Sequence, residues 1–523
     1  MQTQLPIKRA LISVSDKTGV VEFANKLSQL NIEILATGGT AQLLQQNNIA
    51  VIDIAQYTGF PEMMDGRVKT LHPKIYGGLL GRRGIDDKIM QQHSINPIDL
   101  LIVNLYPFAA TIQKENCMFE DAVEQIDIGG PSMLRAAAKN FKAVTVVVDP
   151  TDYSRVLEEM QKHQQATSEH LRLSLAQKVF IHTAQYDQTI ADYLRQQNNP
   201  AEKEFPTFFQ PQFKLREILR YGENPHQKAA FYQTQKNYPG SLAEAKLLQG
   251  KSLSYNNMLD ADCALQTVQA LSNIQAACVI VKHATPCGVA QSDKIEEAYQ
   301  KAFKCDPESA FGGIIAFNQP ISAELAQQLS QQFAEVILAP AVNADALQIF
   351  NNKPQLRVLA FGKSAQNKQP YNLRSISGGL LVQDHDDISI NETDIQVVTE
   401  RAPTKQELQD LLFAWEIVKF TKSNAIVYAK NLATLGIGCG QTSRVFAVKI
   451  AAQRAEAAKL SLNSAVMASD AFFPFADSIE LAASFGIQAV IQPGGSKRDH
   501  EVIAAANQAN IAMVFTGTRH FRH

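Results

Sequence analysis

The first 150 residues alternate apolar strand patterns with helical patterns, and this alternation limits the possible folds more than any other feature of the chain. Residues 9–14, 32–36, 98–103 and 143–148 have the composition of strands. Residues 18–30 carry apolar side chains at helical spacing between the first two. Near-continuous apolar strands separated by helices are typical of a parallel sheet covered on both faces. The sequence therefore predicts an α/β fold here.

The length of the chain indicates several domains. A chain of 523 residues exceeds what one core supports, and roughly three to four compact units are expected at about 100–200 residues each. Residues 151–197 are polar with helical spacing, which predicts helices flanking the first sheet. Residues 198–215 contain three prolines and predict a linker or an extended crossing segment. We therefore expect domains at residues 1–197 and 216–523.

Charge and cysteine content exclude several classes of function. The net charge of -2 provides no broad basic field for nucleic acid or for an anionic membrane. The six cysteines are scattered without a Cys-x-x-Cys pair, which argues against a zinc ribbon or a disulfide framework. No apolar run approaches the ~20 residues of a membrane span. We expect a cytoplasmic protein that acts on small molecules.

Two strand-to-helix turns in the first 150 residues consist of small and hydroxylated residues. They are Ser13–Lys17 and Thr37–Thr40. Such turns direct backbone N–H groups at a bound phosphate, and the helix N-terminus adds partial positive charge. For either turn alone, simple helix capping by Ser and Thr is the better interpretation. Two such turns after successive strands favour an anion site.

Three further polar segments follow in this region. Residues 65–73 form a loop with two cations, a Thr and a His, and residues 104–108 directly follow a strand. Residues 127–131 open a helix with a favourable proline in its first turn, and this helix carries Lys139 two turns on. Each segment alone is equally typical of a solvated loop or helix face.

Taken in order, these segments resemble the IMP cyclohydrolase domain of a family of bifunctional purine biosynthesis enzymes. The matching stretches are Ser-Val-Ser-Asp-Lys-Thr-Gly, Thr-Gly-Gly-Thr, Gly-Arg-Val-Lys-Thr-Leu-His-Pro-Lys, Asn-Leu-Tyr-Pro-Phe and Asp-Ile-Gly-Gly-Pro-Ser-Met-Leu-Arg-Ala-Ala-Ala-Lys-Asn. The resemblance implies a methylglyoxal-synthase-like fold. It implies substrate binding by Ser15, Lys17, Thr37, Gly39, Thr40, Arg67, Lys69, Thr70, Asn104 and Gly129. It also implies proton transfer by Tyr106, Asp127 and above all Lys139.

A second chemical centre is indicated near the middle of the chain. Residues 278–281 read as a buried strand that ends in Lys282 and His283, and we expect Pro286 and Gly288 to turn the chain after them. Two neighbouring basic groups repel each other, which favours one of them as a proton acceptor near neutral pH. The alternative is a strand end whose Lys and His are merely solvated.

The segments around this strand resemble the AICAR transformylase domain of the same family. They are Arg-Tyr-Gly-Glu-Asn-Pro-His-Gln, Lys-His-Ala-Thr-Pro-Cys-Gly, Ser-Ala-Phe-Gly-Gly, Lys-Ser-Asn, Gly-Ile-Gly-Cys-Gly-Gln-Thr-Ser-Arg, Ser-Asp-Ala-Phe-Phe-Pro-Phe and Thr-Gly-Thr-Arg-His-Phe-Arg-His. The resemblance implies a duplicated cytidine-deaminase-like α/β/α domain without zinc, and no metal is expected in the chemistry. The match covers essentially the whole chain.

Residue roles in this second domain also follow from the resemblance. His283 matches the base, Lys282 a donor to the formyl oxygen or the leaving folate nitrogen, and Asn424 a group at the formyl transfer centre. The AICAR side is matched by Arg220, Tyr221 and Arg519. The folate side is matched by Arg444, Phe472 and Asp477, and Gly312 is a further substrate-binding position.

The resemblance implies two consecutive reactions and a homodimer. 10-Formyltetrahydrofolate, as co-substrate, formylates the 5-amino group of AICAR, and the product FAICAR then closes its ring to IMP. Two positions depart from the family: Thr285 stands where Asn is usual, and Ala476 where Arg is frequent. Two alternatives are a regulatory phosphate-sensing module in residues 1–150 and a zinc nucleoside deaminase. The missing His-x-Glu signature and second cysteine argue against the deaminase.

Overall fold

The chain divides into two compact units, Met1–Gln210 and Pro211–His523. The computed structural model describes residues 6–64, 66–198, 205–234, 236–271, 275–363 and 371–523. Asp65 of the predicted basic loop and part of the predicted linker lie outside these ranges. Among the described residues, no helix is both long enough and apolar enough to cross a bilayer.

The first unit is built on a five-stranded parallel sheet, as the strand patterns predict. Its strands are β1 (Arg9–Ser13), β2 (Glu33–Ala36), β3 (Ile52–Asp53), β4 (Leu100–Val103) and β5 (Thr145–Val147). Its helices are α1 (Val20–Gln29), α2 (Gly38–Gln46), α3 (Ile54–Thr58), α4 (Pro73–Leu80), α5 (Asp87–Gln92), α6 (Phe108–Thr111), α7 (Phe119–Glu124), α8 (Gly129–Lys139), α9 (Tyr153–Lys162) and α10 (Glu169–Asn198). Every residue of β4 and β5 is buried, as expected for a sheet covered on both faces.

The strand order of the first unit places a crevice between β1 and β4. The order is β3-β2-β1-β4-β5, so the chain leaves β1 toward one edge of the sheet and returns at β4 toward the other. In open parallel sheets, ligands bind outside the carboxyl ends of the strands where the order reverses. The turns that follow β1, β2 and β4 all lie at this end.

The second unit contains a twelve-stranded sheet and two separate hairpins. Its strands are β6 (Phe213–Leu219), β7 (Ala229–Thr234), β8 (Lys246–Gln249), β9 (Ala276–Lys282), β10 (Thr285–Ser292), β11 (Gly313–Phe317), β12 (Ala334–Ala339), β13 (Arg357–Ala360), β14 (Tyr371–Ile376), β15 (Gly379–Asp384), β16 (Gln396–Val397), β17 (Ile426–Lys430), β18 (Ala433–Gly438), β19 (Val466–Ser469), β20 (Ala489–Gln492) and β21 (Ala512–Phe515). Its helices are α11 (Tyr255–Ala270), α12 (Ile295–Cys305), α13 (Pro307–Ala310), α14 (Ala323–Leu329), α15 (Ala344–Phe350), α16 (Lys405–Val418), α17 (Arg444–Ala457), α18 (Asp477–Ser484) and α19 (Asp499–Gln508).

The large sheet consists of two halves with the same topology. The order β10-β9-β11-β12-β13 in one half is repeated as β18-β17-β19-β20-β21 in the other, and the halves meet where β10 pairs with β18. The packing repeats as well. A Cβ added at Gly288 would lie 2.1 Å from the carbonyl oxygen of Ala302, and one at Gly436 would lie 2.1 Å from that of Ala451. In each half, glycine is therefore required where the hairpin packs against the following helix.

The turn that the sequence predicts at Pro286 and Gly288 is at the wrong position. Pro286 and Gly288 lie inside β10, which pairs antiparallel with β9 and has an irregular register between these two residues. The turn consists of His283 and Ala284 alone, both at φ 55°. Two successive residues with positive φ form a tight hairpin connection whose twist matches that of the flanking strands. His283 therefore lies at the tip of a hairpin, one residue beyond the end of β9.

Candidate active sites

The turns after β1 and β2 form a cationic cradle in the first unit. The Lys17 ammonium donates to Thr40 Oγ1 at 2.9 Å, and the Ser13 and Thr37 hydroxyls lie 2.7 Å apart. Burial lowers the pKa of Lys17 from its usual value, and the nearby charge of Lys69 lowers it further. Two close, half-buried cations favour a bound anion.

The first turn of α2 completes this cradle. Lys69 Nζ would lie 2.9 Å from a Cβ at Gly38, so the Lys69 side chain extends across the start of the helix, where it also pairs with Glu62 at 3.0 Å. A Cβ at Gly39 would meet no described atom within 4 Å. The first-turn N–H groups of α2, its helix-dipole charge and two ammonium groups therefore lie close together here.

Asn104 connects the β4 end of the sheet to the same cradle. Its side-chain oxygen accepts the N–H groups of Ser15 and Asp16 at 2.5 and 2.9 Å, and its amide donates to the Asp16 carbonyl at 2.9 Å. These three hydrogen bonds fix the turn after β1 against the turn after β4. The structure therefore brings together the predicted residues Ser15, Lys17, Thr37, Gly39, Thr40, Lys69 and Asn104.

A half-buried carboxyl group lies at the start of α8. Asp127 Oδ1 accepts the N–H of Gly130 at 2.7 Å. Burial raises the pKa of Asp127, and hydrogen bonds from the N–H groups of Gly130 and Tyr106 act in the opposite direction. Thr70 Oγ1 would lie 2.9 Å from a Cβ at Gly129, which places Thr70 beside the same helix end. The predicted Tyr106, Asp127, Thr70 and Gly129 thus form one group.

Tyr186 is a residue of this site for which the sequence offers no specific signal. Its hydroxyl accepts the N–H of Asp127 at 2.8 Å and donates to the carbonyl of Gln125 at 3.1 Å. Tyr186 lies in the long helix α10, about 60 residues after Asp127 in the sequence, and helical spacing alone does not indicate such a contact. Tyr186 therefore fixes the backbone that presents the Asp127 carboxyl group.

One predicted residue, Lys139, lies apart from the Asp127 group in the described part of the chain. Lys139 is the last residue of α8 and is exposed. A helix rises 1.5 Å per residue, so Lys139 lies roughly 15 Å along the axis from Gly129 at the other end. Arg67 is also exposed and pairs with Glu124. The structure does not bring Lys139 to the carboxyl group of Asp127 within one chain.

In the second unit, Lys282 is directed by the backbone that precedes β11. Its ammonium group donates to the carbonyl oxygens of Phe311 and Gly312, both at 3.0 Å. Gly312 has φ 68°, and a Cβ there would lie 3.3 Å from Lys282 Nζ and 3.1 Å from the Phe333 ring. Gly312 therefore both adopts a left-handed backbone and leaves room for the lysine.

We expect Gly312→Ala to destabilise the protein by about 1–2 kcal/mol, the cost of a left-handed residue with a Cβ, and to reduce any activity that uses Lys282. Gly362 provides a matched control, since it has φ 72° in the same unit and a Cβ there would meet no atom of the described residues within 4 Å. Urea denaturation of both variants measures the shared backbone cost. An equal loss of activity in Gly362→Ala would contradict the contact with Lys282.

The hairpin tip at His283 lies against the loop that carries Asn424. Lys422 Nζ donates to the His283 carbonyl at 3.4 Å, and the Lys422 N–H lies 3.5 Å from Thr285 Oγ1. His283 is exposed and Asn424 is half-buried. The structure therefore brings Lys282, His283, Gly312 and Asn424 to one face, where the two halves of the large sheet meet. Thr285, a departure from the family, takes part in this contact.

Arg444 lies behind Asn424 instead of on an exposed binding surface. Its guanidinium donates to Asn424 Oδ1 at 2.7 Å and to Ser469 Oγ at 2.8 Å, and it forms an ion pair with Asp470. The Arg444 and Asp470 side chains are 7% and 0% exposed. Arg444, which the resemblance places on the folate side, is therefore buried behind Asn424 and contacts its side-chain oxygen.

Asp470 connects Arg444 and Asn424 to the carboxy-terminal tail. Its carboxylate accepts the Ser423 hydroxyl at 2.6 Å and the Ala425 N–H at 3.1 Å. Ser423 in turn exchanges backbone and side-chain hydrogen bonds with Arg522. The predicted Arg519 belongs to this tail, where its guanidinium lies 4.6 Å from the centroid of the Phe521 ring.

Of the remaining predicted residues, Arg220, Tyr221 and Phe472 lie in loops of the second unit, and Asp477 is the first residue of α18. Arg220 and Tyr221 follow β6 in a loop whose Glu223 carbonyl accepts from Asn256 of α11 at 3.2 Å. Phe472 is 38% exposed, whereas its neighbour Phe473 is fully buried in the core. The aromatic run therefore contributes one ring to the surface and another to the core. The Asp477 carboxylate is exposed at the start of α18 and accepts its neighbour's N–H.

Comparison with known proteins gives matches to two family models and to solved structures. The model described as "AICARFT/IMPCHase bienzyme" matches residues 137–454, more than half of the chain. The model described as "MGS-like domain" matches residues 19–132. A solved structure titled "Crystal structure of ForH" is 36% identical and covers 35% of this chain and 97% of its own, at a TM-score of 0.32.

Proposed function

This chain belongs to the AICARFT/IMPCHase bienzyme family, and we propose that the face around Lys282 and His283 performs its formyl transfer while the β1–β4 crevice performs its ring closure. As a member of the family, the protein is a bifunctional transferase and cyclohydrolase that carries out the last two steps of IMP biosynthesis. The finer assignments concern the formyl donor and the individual residues.

For formyl transfer we infer that 10-formyltetrahydrofolate is the donor. The 5-amino nitrogen of AICAR attacks the formyl carbon, the bond from that carbon to N10 of the folate breaks, and FAICAR and tetrahydrofolate leave. The amine is a poor nucleophile because its lone pair is delocalised into the imidazole ring. A base that removes its proton as the new bond forms therefore lowers the barrier.

We assign that base to His283 and the polar stabilisation to Lys282 and Asn424. The observation that carries the assignment is the Lys282 ammonium, which two carbonyl oxygens hold at 3.0 Å beside the hairpin tip of His283. A fixed cation stabilises negative charge that develops on the formyl oxygen or on the leaving nitrogen. The Asn424 side chain is held at both ends: its oxygen accepts from Arg444 at 2.7 Å, and its amide donates to the Gln441 carbonyl at 2.8 Å.

Around this centre, Arg220 and Tyr221 hold the AICAR phosphate and ring, with Arg519 on the same side. Phe472 provides an exposed ring for the folate, and Asp477 an exposed carboxylate for its polar groups. Ala476 lies immediately before α18, at a position where the family resemblance makes Arg frequent, so this chain lacks that possible charge contact with the folate.

Ring closure requires mainly positioning. The carboxamide nitrogen of FAICAR attacks the formyl carbon within the same molecule, and water is lost, so fixing the substrate supplies most of the rate. The cradle of Lys17, Lys69 and Thr40 suits the phosphate. Asp127 suits proton transfer because burial raises its pKa and so makes its carboxylate more basic.

Asp127 and Lys139 are two candidates for this proton transfer that lie apart within one chain, and one experiment distinguishes between them. If Asp127 acts within its own chain, Asp127→Asn lowers cyclohydrolase kcat by about 10²–10⁴. Lys139→Ala is expected to have a comparable effect only if Lys139 of a second copy reaches the site. Steady-state assays with FAICAR measure both variants. A wild-type rate in Lys139→Ala would refute the role that the family resemblance gives to that residue.

We further propose that the protein is a cytoplasmic homodimer, following the resemblance to the family. Sedimentation of the purified chain tests the dimer directly.

A further inference from the structure

A carboxylate on α11 holds the turn that carries His283. Asp260 Oδ1 accepts the N–H of Ala284 at 2.6 Å, and the N–H of His283 also donates to this carboxylate. His283 and Ala284 both have φ 55°, a conformation in which residues with a Cβ are strained. The carboxylate satisfies the two N–H groups that this tight turn directs away from the sheet ladder.

The duplicated half of the sheet contains the same arrangement without the basic pair. Asp410 accepts the N–H groups of Asn431 and Leu432 at 2.9 and 2.7 Å, and these two residues have φ 52° and 55°. Asp410 is the sixth residue of α16, as Asp260 is the sixth of α11. The carboxylate under the turn is thus a feature of the repeated fold, and only one copy lies beneath a Lys-His pair.

Charge adds a second link between Asp260 and this pair. Burial raises the pKa of Asp260, and the N–H groups of Ala284 and His283 together with the charges of His283 and Lys282 act in the opposite direction. The charges of both basic side chains therefore act on the Asp260 carboxylate. On the far side of the turn, the Lys422 ammonium approaches the His283 carbonyl.

We propose that Asp260 is a positioning residue for formyl transfer, which fixes the His283 turn and thereby the direction of the imidazole. The inference rests on the proposed role of His283 as the base. Because Asp260 acts through His283, its loss affects kcat and leaves the affinity for AICAR nearly unchanged. Because Asp410 supports an equivalent turn without a basic pair, its loss has no such effect.

The test compares Asp260→Asn with Asp410→Asn, each alone and with His283→Ala, in the full-length protein. Asp260→Asn is expected to lower formyl-transfer kcat roughly ten- to hundredfold, since it weakens a charge-assisted pair of hydrogen bonds. KM for AICAR is expected to change less than about threefold, in line with a positioning role. In the His283→Ala background, the same substitution is expected to lower kcat by less than about threefold further.

Trp415, the sole tryptophan and 1% exposed in α16, reports by its fluorescence whether the second unit is folded in each variant. If its emission shifts in Asp260→Asn, Asp260→Glu replaces that variant under the same criteria. Equal kcat losses in the Asp260 and Asp410 variants, or a full additional loss in the His283→Ala background, would overturn the inference. A wild-type rate in His283→Ala itself would instead overturn the proposed base.

Discussion

Replacing His283 by alanine is expected to lower formyl transfer by about 10²–10⁴, or roughly 3–5.5 kcal/mol in the barrier, which is the contribution of a positioned general base. His283 lies exposed at the tip of a two-residue turn between β9 and β10, so the substitution leaves no core cavity. The loss is therefore chemical and not structural. Stopped assays that follow tetrahydrofolate release measure it.

Ring closure provides the internal control for this variant. The His283→Ala protein is expected to convert added FAICAR to IMP at the wild-type rate, because the proposed cyclohydrolase residues all belong to the first unit. An equal loss in both assays would contradict two separate sites. A wild-type rate of formyl transfer would remove His283 from the mechanism.

Removing Asp470 is expected to have the largest effect on stability. In Asp470→Ala the Arg444 guanidinium stays buried without its charged partner, and breaking such a buried pair costs about 3–5 kcal/mol. The Ser423 hydroxyl and the Ala425 N–H lose their acceptor as well. Urea denaturation followed by the fluorescence of Trp415 measures the change in the free energy of unfolding.

Two further variants separate stability from activity in this network. Glu501 forms an exposed ion pair with Arg498 in the same unit, and Glu501→Ala is expected to cost at most about 1 kcal/mol. The double replacement Arg444→Met with Asp470→Leu removes both buried charges and is expected to recover much of the stability lost in Asp470→Ala. It is still expected to have low formyl-transfer activity, since Asn424 loses the guanidinium that orients it. Full activity in the double variant would contradict that role.

The strands of the first unit could be predicted because burial on both faces leaves a strong local signal. Residues 98–103 consist almost entirely of aliphatic side chains, and the strand there, β4, is fully buried. The approximate place of the cationic cradle followed, since parallel strands present their turns at one edge of the sheet. The hydrogen bonds of Asn104, which span some 89 residues, depend on the strand order and have no local signal.

The hairpin at His283 was misplaced for a comparable reason. Turns with two positive φ values usually contain Asn, Asp or Gly, and the equivalent turn in the second half does begin with Asn431. At His283–Ala284 the local sequence lacks this signal, and Pro286 and Gly288 are stronger turn formers. The carboxylate of Asp260 stabilises the turn from a helix 24 residues earlier in the sequence. Such support becomes visible only in the folded structure.

The position of Arg444 shows that sequence patterns also fail to predict whether a charged residue is buried. A basic side chain near a glycine-rich segment suggests a surface anion site, but the fold buries this one against Asp470, which follows it by 26 residues. Sequence patterns could identify the residues of the network as polar candidates. They could not show which of these side chains is exposed and which is buried against another side chain.

The most direct test of two linked reactions in this chain is a time course with the wild-type protein, AICAR and 10-formyltetrahydrofolate. The account predicts that FAICAR appears transiently, that IMP follows, and that one tetrahydrofolate is released for each IMP formed. Accumulation of FAICAR without IMP would indicate that the first unit only senses phosphate, and would contradict the account.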